Sequence, residues 1–307
     1  MRRLITGYSN PTVKFLRSLR EKKHRKASGK FLAEGLRLLT DARACGKLPE
    51  LLVMATGREP HALLHALEAE VRTAGGEVLE MSADLLAKVT GKDNPQAVAG
   101  VFAEFDTGLA GLDRSTAKIW LVAQALRDPG NLGTLLRTGD AVGGGGLILL
   151  DDCADPFSVE AVRASMGAVF TQAIAQARWD EFVPWLRGGA GQLVAASLRD
   201  AVDYRGAAYA APCFLLVGNE SRGLPENYEA ACDLRGPSSG SSRADRRPLR
   251  SPRAIRAIRC RPAGNTAPHR PRRDNRPRRA GWPRPTGRLR RAATAGIRPS
   301  VLARLFG

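Results

Sequence analysis

Two short segments of the chain combine polar side chains with glycine and proline, a pattern typical of ligand-binding loops. The first, RDPGNLGTLLRT at 127–138, contains Asn131 and Arg137, and the second, GNESRGLP at 218–225, contains Glu220. An arginine in such a place either binds a phosphate through two N–H groups or closes a structural ion pair. A carboxylate at a crevice is a candidate acid or base. Short glycine-rich turns are also common in ordinary strand-to-helix connections, so neither segment is specific alone.

Both segments follow apolar runs of strand length. Four such runs, KIWLVAQAL, GLILLDD, GQLVAASL and APCFLLVG, alternate with segments of helical spacing between 118 and 218. Nearly continuous apolar strands separated by helices predict an α/β fold with a parallel sheet covered on both faces. Ligands bind at the carboxyl ends of such strands, which here are followed by the two polar segments. In the first segment, Asn131 is predicted to cap the helix, and Leu132, Leu135 and Leu136 to form its buried face.

The first hundred residues predict a smaller α/β unit. A basic helix, a turn at Ser28 and Gly29, a short strand at 31–33 and a second helix ending at Gly46 are followed by strands and a helix up to residue 105. The segment 106–117 is small and polar and is predicted to be a linker. We therefore expect a small α/β domain at 1–105, a linker at 106–117, a parallel-sheet domain at 118–235 and a tail at 236–307.

Charge is distributed unevenly. The tail holds 20 arginines, no lysine and two aspartates, so its net charge of +18 equals that of the whole chain. Residues 1–30 carry ten basic side chains against Glu21 alone. A basic cluster on an otherwise acidic body suits contact with a phosphate backbone, although a solvated helix face explains it equally well. The candidate RNA-binding side chains are Lys14, Arg17, Arg20, Lys22, Lys23, Arg25 and Lys26.

Other classes of site and location have weak signals. The five cysteines are scattered without a C-x-x-C pair, which argues against a disulfide framework or a zinc knuckle. His61, His65 and Glu68 share one helix face and could ligate a metal, but an exposed helix face accounts for them, so no metal is predicted. No apolar run has the length of a membrane span, and we expect a cytoplasmic protein without a membrane partner.

Taken together, NLGTLLRT, ASMGAVF and GNESRGLP resemble the SpoU or TrmH family of RNA ribose 2′-O-methyltransferases, of the SPOUT superfamily. The segment 10–39 is similar to the substrate-binding domain that precedes the catalytic domain in these enzymes. The resemblance implies a trefoil-knot domain, S-adenosyl-L-methionine as cofactor, a homodimer, and structured RNA as substrate, with rRNA favoured over tRNA. It implies catalytic roles for Arg137, Asn131 and Glu220. The implied cofactor-binding residues are Gly218, Asn219, Gly223, Leu224, Ser197 and Leu198.

The chain departs from the family after Asp233. A third motif, with an Ile-Pro pair, a glycine and a Ser-Leu-Asn run, should follow closely, and nothing in 236–307 matches it. The tail is rich in Arg and Pro, has the composition of a disordered segment, and resembles translation in a shifted frame. The knot is therefore expected to be incomplete. The alternative function is a catalytically impaired RNA-binding protein, or a frameshifted product that lacks part of the cofactor site.

Overall fold

The computed structural model describes residues 2–57, 61–92, 96–197, 208–219 and 221–236. Two sheets organise these residues, one on each side of position 110. Among the described residues, no helix is both long and apolar enough to span a membrane.

The first sheet is mixed and has the strand order β1-β4-β3-β5-β2. Its strands are β1 (Arg3–Ile5), β2 (Lys30–Glu34), β3 (Leu51–Ala55), β4 (Glu77–Met81) and β5 (Val98–Ala103). The helices around it are α1 (Pro11–Ser18), α2 (Lys22–Ser28), α3 (Leu36–Ala44), α4 (Ala62–Thr73) and α5 (Ala83–Thr90). The basic segment thus forms two helices rather than the single one predicted. The break falls at Leu19–Glu21, where Leu19 is buried in the core and ends α1.

The second sheet has six strands in the order β11-β9-β10-β6-β7-β8, and every neighbouring pair is parallel. The strands are β6 (Ile119–Gln124), β7 (Gly146–Leu150), β8 (Ala173–Ala177), β9 (Gln192–Ala196), β10 (Cys213–Val217) and β11 (Leu234–Gly236). The predicted parallel sheet is confirmed. The helices are α6 (Pro129–Ala141), α7 (Val159–Ala164), α8 (Ala168–Thr171), α9 (Trp179–Arg187) and α10 (Glu226–Ala230).

The segment 156–170, which has helical spacing in the sequence, is broken between α7 and α8. Met166 has φ 51° and Gly167 has φ 99°, both in the left-handed region, which ends a right-handed helix. A Cβ on Gly167 would lie 2.9 Å from Asp41 Oδ2. The turn between α7 and α8 therefore comes close to α3 of the first unit.

The two units share one hydrophobic core. Phe31 and Phe102 of the first sheet pack with Phe157, just before α7, and with Phe170 of α8, at centroid distances of 5.0 Å for Phe31–Phe157 and 4.9 Å for Phe102–Phe170. Phe105 packs edge-on against three of these rings. The units therefore meet through a continuous apolar contact rather than through a polar gap.

The segment 106–117 is more ordered than the predicted linker. Short 3-10 turns at Leu109–Gly111 and Arg114–Thr116 pack onto the second unit. The Arg114 guanidinium lies 4.0 Å from the centre of the Trp185 ring and donates to the carbonyl oxygens of Trp185 and Leu186. These contacts fix the segment against α9.

Candidate active site

The two polar segments meet at one edge of the second sheet. They follow β6 and β10, which are adjacent and parallel, with Ala123 opposite Val217. Asn219 Nδ2 donates to the carbonyl oxygen of Ala125 at 2.9 Å. This bond joins the loop after β10 to the loop after β6, as the position of both at carboxyl strand ends predicts.

The loop after β10 is held by its own backbone. Asn219 and Gly223 exchange two backbone hydrogen bonds, at 3.2 and 2.9 Å, and Asn219 Oδ1 accepts from the backbone N–H groups of Ser221 and Arg222. Gly223 has φ 70°, a conformation that glycine adopts without strain. A Cβ on Gly218 would collide with the Gly223 carbonyl carbon. Glycine is therefore required at 218 for this loop to close.

The loop after β6 leads directly into α6. Ala125 has φ 48°, and Asp128 is the N-cap, its Oδ1 accepting from Asn131 N at 2.6 Å. The prediction that Asn131 caps the helix is therefore wrong. An aspartate three residues earlier occupies the cap, and Pro129 fits the first turn because its ring fixes φ and it has no N–H to satisfy. The Asn131 side chain is left exposed in the first turn of α6.

Helix α6 is fixed by close packing against α7. A Cβ on Gly133 would lie 2.5 Å from the Ala161 carbonyl oxygen. Leu132 and Leu136 are fully buried, whereas Leu135 is only partly so. Arg137 is exposed, and among the described residues no carboxylate lies within ion-pair distance of it. The described residues therefore offer no ion-pair partner for Arg137, and its guanidinium is available for a phosphate.

A buried polar contact lies where β9 ends. The Ser197 hydroxyl donates to Glu229 Oε1 at 2.5 Å, and both residues are buried. Leu224 is also buried. Glu229 lies on α10, directly after the second polar segment, and it was not predicted because a single carboxylate on a short helix carries no distinguishing spacing.

A second contact, which the sequence did not predict, fixes α10. The Tyr228 hydroxyl donates to Asp151 Oδ2 at 2.6 Å, and its ring stacks on Trp179 at a centroid distance of 3.8 Å. Burial of the phenol, together with this hydrogen bond, raises the pKa of Tyr228. Asp151 follows β7 with φ 60° and also accepts from Trp179 N. The loop that carries Asn219 is therefore anchored at both ends.

The described residues fit the cofactor that the resemblance implies. The residues that directly follow β6, β9 and β10 are Ala125, Ser197 and Gly218, all of which have small side chains. Buried Leu224 adds an apolar surface beside them. A flat, uncharged adenosine needs apolar contacts and backbone hydrogen bonds of this kind. The other expected residues, Leu198 and Glu220, lie outside the described residues.

The expected RNA-binding side chains divide into two groups. Six are exposed on and around α1 and α2, namely Lys14, Arg17, Arg20, Lys22, Lys23 and Lys26. Arg25 is buried, and it donates to Asp155 and to the carbonyl oxygen of Leu19. The assignment of Arg25 to the RNA-binding surface is therefore wrong, because it faces the core side of α2.

The metal alternative has no support in the described residues. Glu68 accepts hydrogen bonds from Arg2 and Arg72, and His61 caps α4. No cluster of potential ligands occurs within the described ranges. Glu68 therefore serves the structure of the first unit through its two arginine partners.

Comparison with known proteins finds relatives for both units of the chain. Residues 10–100 match the MRM3-like substrate binding domain, and residues 118–240 match the SpoU rRNA Methylase family. The chain is 30% identical over 231 residues to the 23S rRNA (guanosine(2553)-2'-O)-methyltransferase RlmP of Bacillus subtilis, covering 75% of this chain and 88% of that protein.

Solved structures of methyltransferases are also similar to this chain. The AdoMet-bound rRNA methyltransferase from Sinorhizobium meliloti is 38% identical, with a TM-score of 0.74 over 80% of this chain and 92% of that one. The SpoU methyltransferase AviRb from Streptomyces viridochromogenes, in complex with AdoMet, is 25% identical, with a TM-score of 0.66 over 76% and 91%. The fold, the motif loops at one sheet edge and the coverage of these relatives together show that the chain belongs to the SpoU family of rRNA methyltransferases.

Proposed function

We propose that this chain transfers a methyl group from S-adenosylmethionine to a ribose 2′-hydroxyl of structured RNA, and that ribosomal RNA is its substrate class. The observation that carries the proposal is the hydrogen bond from Asn219 to Ala125, which brings the two motif loops together at the carboxyl edge of the parallel sheet. The names of the relatives support the reaction and the substrate class.

The cofactor, when bound, supplies an electrophilic methyl group. The chain must then hold the ribose close to it and help the hydroxyl to lose its proton. A guanidinium keeps its proton in proteins and is a poor base, so Arg137 does not accept the proton itself. We propose that it binds the phosphate beside the target ribose and stabilises the developing oxyanion by its charge. Asn131 lies one to two turns earlier on α6, where we propose that it orients the nucleotide, and Glu220 is the proposed proton acceptor.

We further propose the division of labour that the sequence predicts. The unit at 1–105 binds RNA through the exposed basic side chains of α1 and α2, and residues 118–235 carry the reaction. The proposed assembly is a homodimer, and the proposed location is the cytoplasm. Since the relatives are methyltransferases, they favour the enzyme over the impaired RNA-binding protein. The predicted loss of the third motif falls outside the described residues and stays a prediction.

The test uses the full chain with isotope-labelled S-adenosylmethionine and unmodified transcripts of 23S rRNA and of tRNA. Nucleosides from the digested RNA are separated and weighed by mass spectrometry. We expect label in a 2′-O-methylated nucleoside from the 23S rRNA. Label on a base, or only in tRNA, would contradict the proposed reaction or substrate class. RNA binding without cofactor binding in calorimetry would establish the alternative function.

A further inference from the structure

A cavity of about 290 Å³ lies where the two units meet. It is lined from one side by the β2–α3 turn and by Lys92 and Gln96, and from the other by Arg163 and Met166 around α7. We call this cavity the seam pocket. Its volume is just below the roughly 300–1,000 Å³ that is usual for small-molecule sites. It is separate from the edge formed by the two motif loops, and the function proposed above gives it no role.

The seam pocket is positively charged. The Arg37 side chain is 80% exposed, and its Nε lies 3.9 Å from Asp41 Oδ2, which makes a long ion pair. Arg163 is exposed, and no carboxylate among the described residues is within ion-pair distance of it. Lys92 pairs with the buried Glu34 at 2.7 Å. Arg163, and Arg37 once it leaves its long ion pair with Asp41, offer two guanidinium groups that can bind a phosphate bidentately.

The pocket also exposes apolar surface next to these charges. Met166 is 46% exposed, although large apolar side chains are generally buried, and its backbone is held in the left-handed region at φ 51°. Leu36 is partly exposed on the opposite wall. A strained, non-glycine backbone that presents an apolar side chain to solvent is a feature that clusters at binding sites. Methionine sulfur makes favourable contacts with aromatic rings, and a nucleobase offers such a ring.

The residues that line the seam pocket have neighbours in contact with both functional regions. The Arg20 guanidinium lies directly over Gly91, the neighbour of Lys92, so the exposed basic side chains lead to one end of the pocket. On the other side, Gly133 of α6 packs against the backbone of Ala161 and Ser165, just before Met166. The pocket therefore lies between the exposed basic side chains and the helix that carries Arg137.

We propose that the seam pocket binds one nucleotide of the RNA substrate, other than the methylated one. Its base lies between Met166 and Leu36, and its phosphate pairs with Arg37 and Arg163. The combination of an apolar slot with paired guanidinium groups fits single-stranded RNA, whose unstacked bases and phosphates need both. The proposal rests on the proposed function for RNA as the substrate.

The test is photo-crosslinking of the full chain to 23S rRNA that contains 4-thiouridine, followed by mass spectrometry of the crosslinked peptides. We expect crosslinks in the peptides that contain Leu36 and Met166. The measurement is made at raised salt, which screens nonspecific attraction by the arginine-rich tail. Crosslinks to α2 with none in these two peptides would overturn the proposal.

Variants make the test quantitative. The double variant Arg37→Gln/Arg163→Gln removes both proposed phosphate contacts and should weaken RNA binding about 10-fold or more, with loss of the two crosslinks. The control Arg178→Gln removes an equally exposed arginine from the start of α9 and should change neither. Equal RNA affinity in the double variant and the control would contradict the proposal. Crosslinks at Met166 without methyl transfer would leave the pocket established and refute the proposed activity instead.

Discussion

Arg25 of the first unit and Asp155 of the second form a buried ion pair. Arg25 Nε and Nη2 donate to Asp155 Oδ2 at 3.1 and 2.8 Å, and the two side chains are 3% and 4% exposed. Arg25 also donates to the carbonyl oxygen of Leu19, and Asp155 Oδ1 accepts from Phe157 N. The pair therefore fixes α2, with its exposed lysines, to the loop that leads into α7.

Removing one partner of this pair should destabilise the chain strongly. Arg25→Met leaves the Asp155 carboxylate buried without its counter-charge, and we expect a loss of about 3–5 kcal/mol in the free energy of unfolding. The matched change Lys26→Met removes a half-exposed partner of Glu104 and should cost less than about 1 kcal/mol. Urea denaturation of both variants measures the difference. Equal losses would mean that the buried pair contributes no more than the surface one.

Arg137→Ala should separate catalysis from cofactor binding. The exposed guanidinium is proposed to act at the ribose and its phosphate, so methyl transfer should fall by about 100-fold or more. The affinity for S-adenosylmethionine, measured by calorimetry, should stay within about twofold, because the substitution leaves the loops after β9 and β10 intact. Arg178→Ala serves as the control. Near-normal turnover of Arg137→Ala would remove this residue from the mechanism.

Gly218→Ala should prevent the loop after β10 from closing. The new Cβ would overlap the backbone of Gly223 and Leu224, so the hydrogen bond from Asn219 to Ala125 could not form in its present geometry. We expect cofactor binding to be lost, as measured by calorimetry, while the chain remains folded by circular dichroism. Gly7→Ala is the control, because a Cβ there has its nearest neighbour at 3.9 Å. Unchanged cofactor affinity would show that this loop is not part of the cofactor site.

RNA affinity should have two sources that salt separates. The slope of log affinity against log salt is about −0.7 to −0.9 per phosphate neutralised, so removal of the +18 tail after Gly236 should flatten it. In the shortened chain, changing Lys22, Lys23 and Lys26 to Gln should then remove most of the remaining binding. Filter binding over a salt series measures both steps. If these three changes leave the shortened chain's affinity intact, the exposed face of α2 does not bind RNA.

Acid should destabilise the first unit through Glu68. The hydrogen bond from Arg2, together with that from Arg72, lowers the pKa of Glu68 to about 2. Since the folded pKa lies below the unfolded value, the stabilisation is present above about pH 4.5 and is lost as the pH falls towards 2, by about 2–3 kcal/mol. Glu68→Gln should flatten this part of the stability curve, which urea denaturation at several pH values measures. An unchanged pH dependence would mean that Arg2 does not hold the carboxylate.

The parts that the sequence predicted are those in which local pattern and tertiary position agree. Apolar runs of strand length predicted β6, β7, β9 and β10, and the carboxyl-end rule placed the expected ligand site at the loops that follow β6 and β10. The edge strands β1 and β11, three residues each, were missed because so short a run carries no periodicity. Strand β8, AIAQA, was missed because alanine is a weak strand former.

The errors at individual residues have a tertiary cause. Charge alone placed Arg25 with its lysine neighbours, and only the approach of Asp155, 130 positions away, shows that it is buried. Asn131 and Asp128 are both good helix caps, and the sequence does not reveal which of them adopts the extended backbone that a cap requires. Tyr228 meets Asp151 across the sheet edge, a contact between residues far apart in the chain.

The phenylalanine cluster at the junction limits how this protein can be divided or recombined. Phe31 and Phe102 have their apolar partners, Phe157 and Phe170, on the other unit, so expression of either half alone exposes a large aromatic patch to water. Such halves should aggregate rather than fold independently. Exchange of the first unit between relatives therefore requires that these rings be transferred as a matched set.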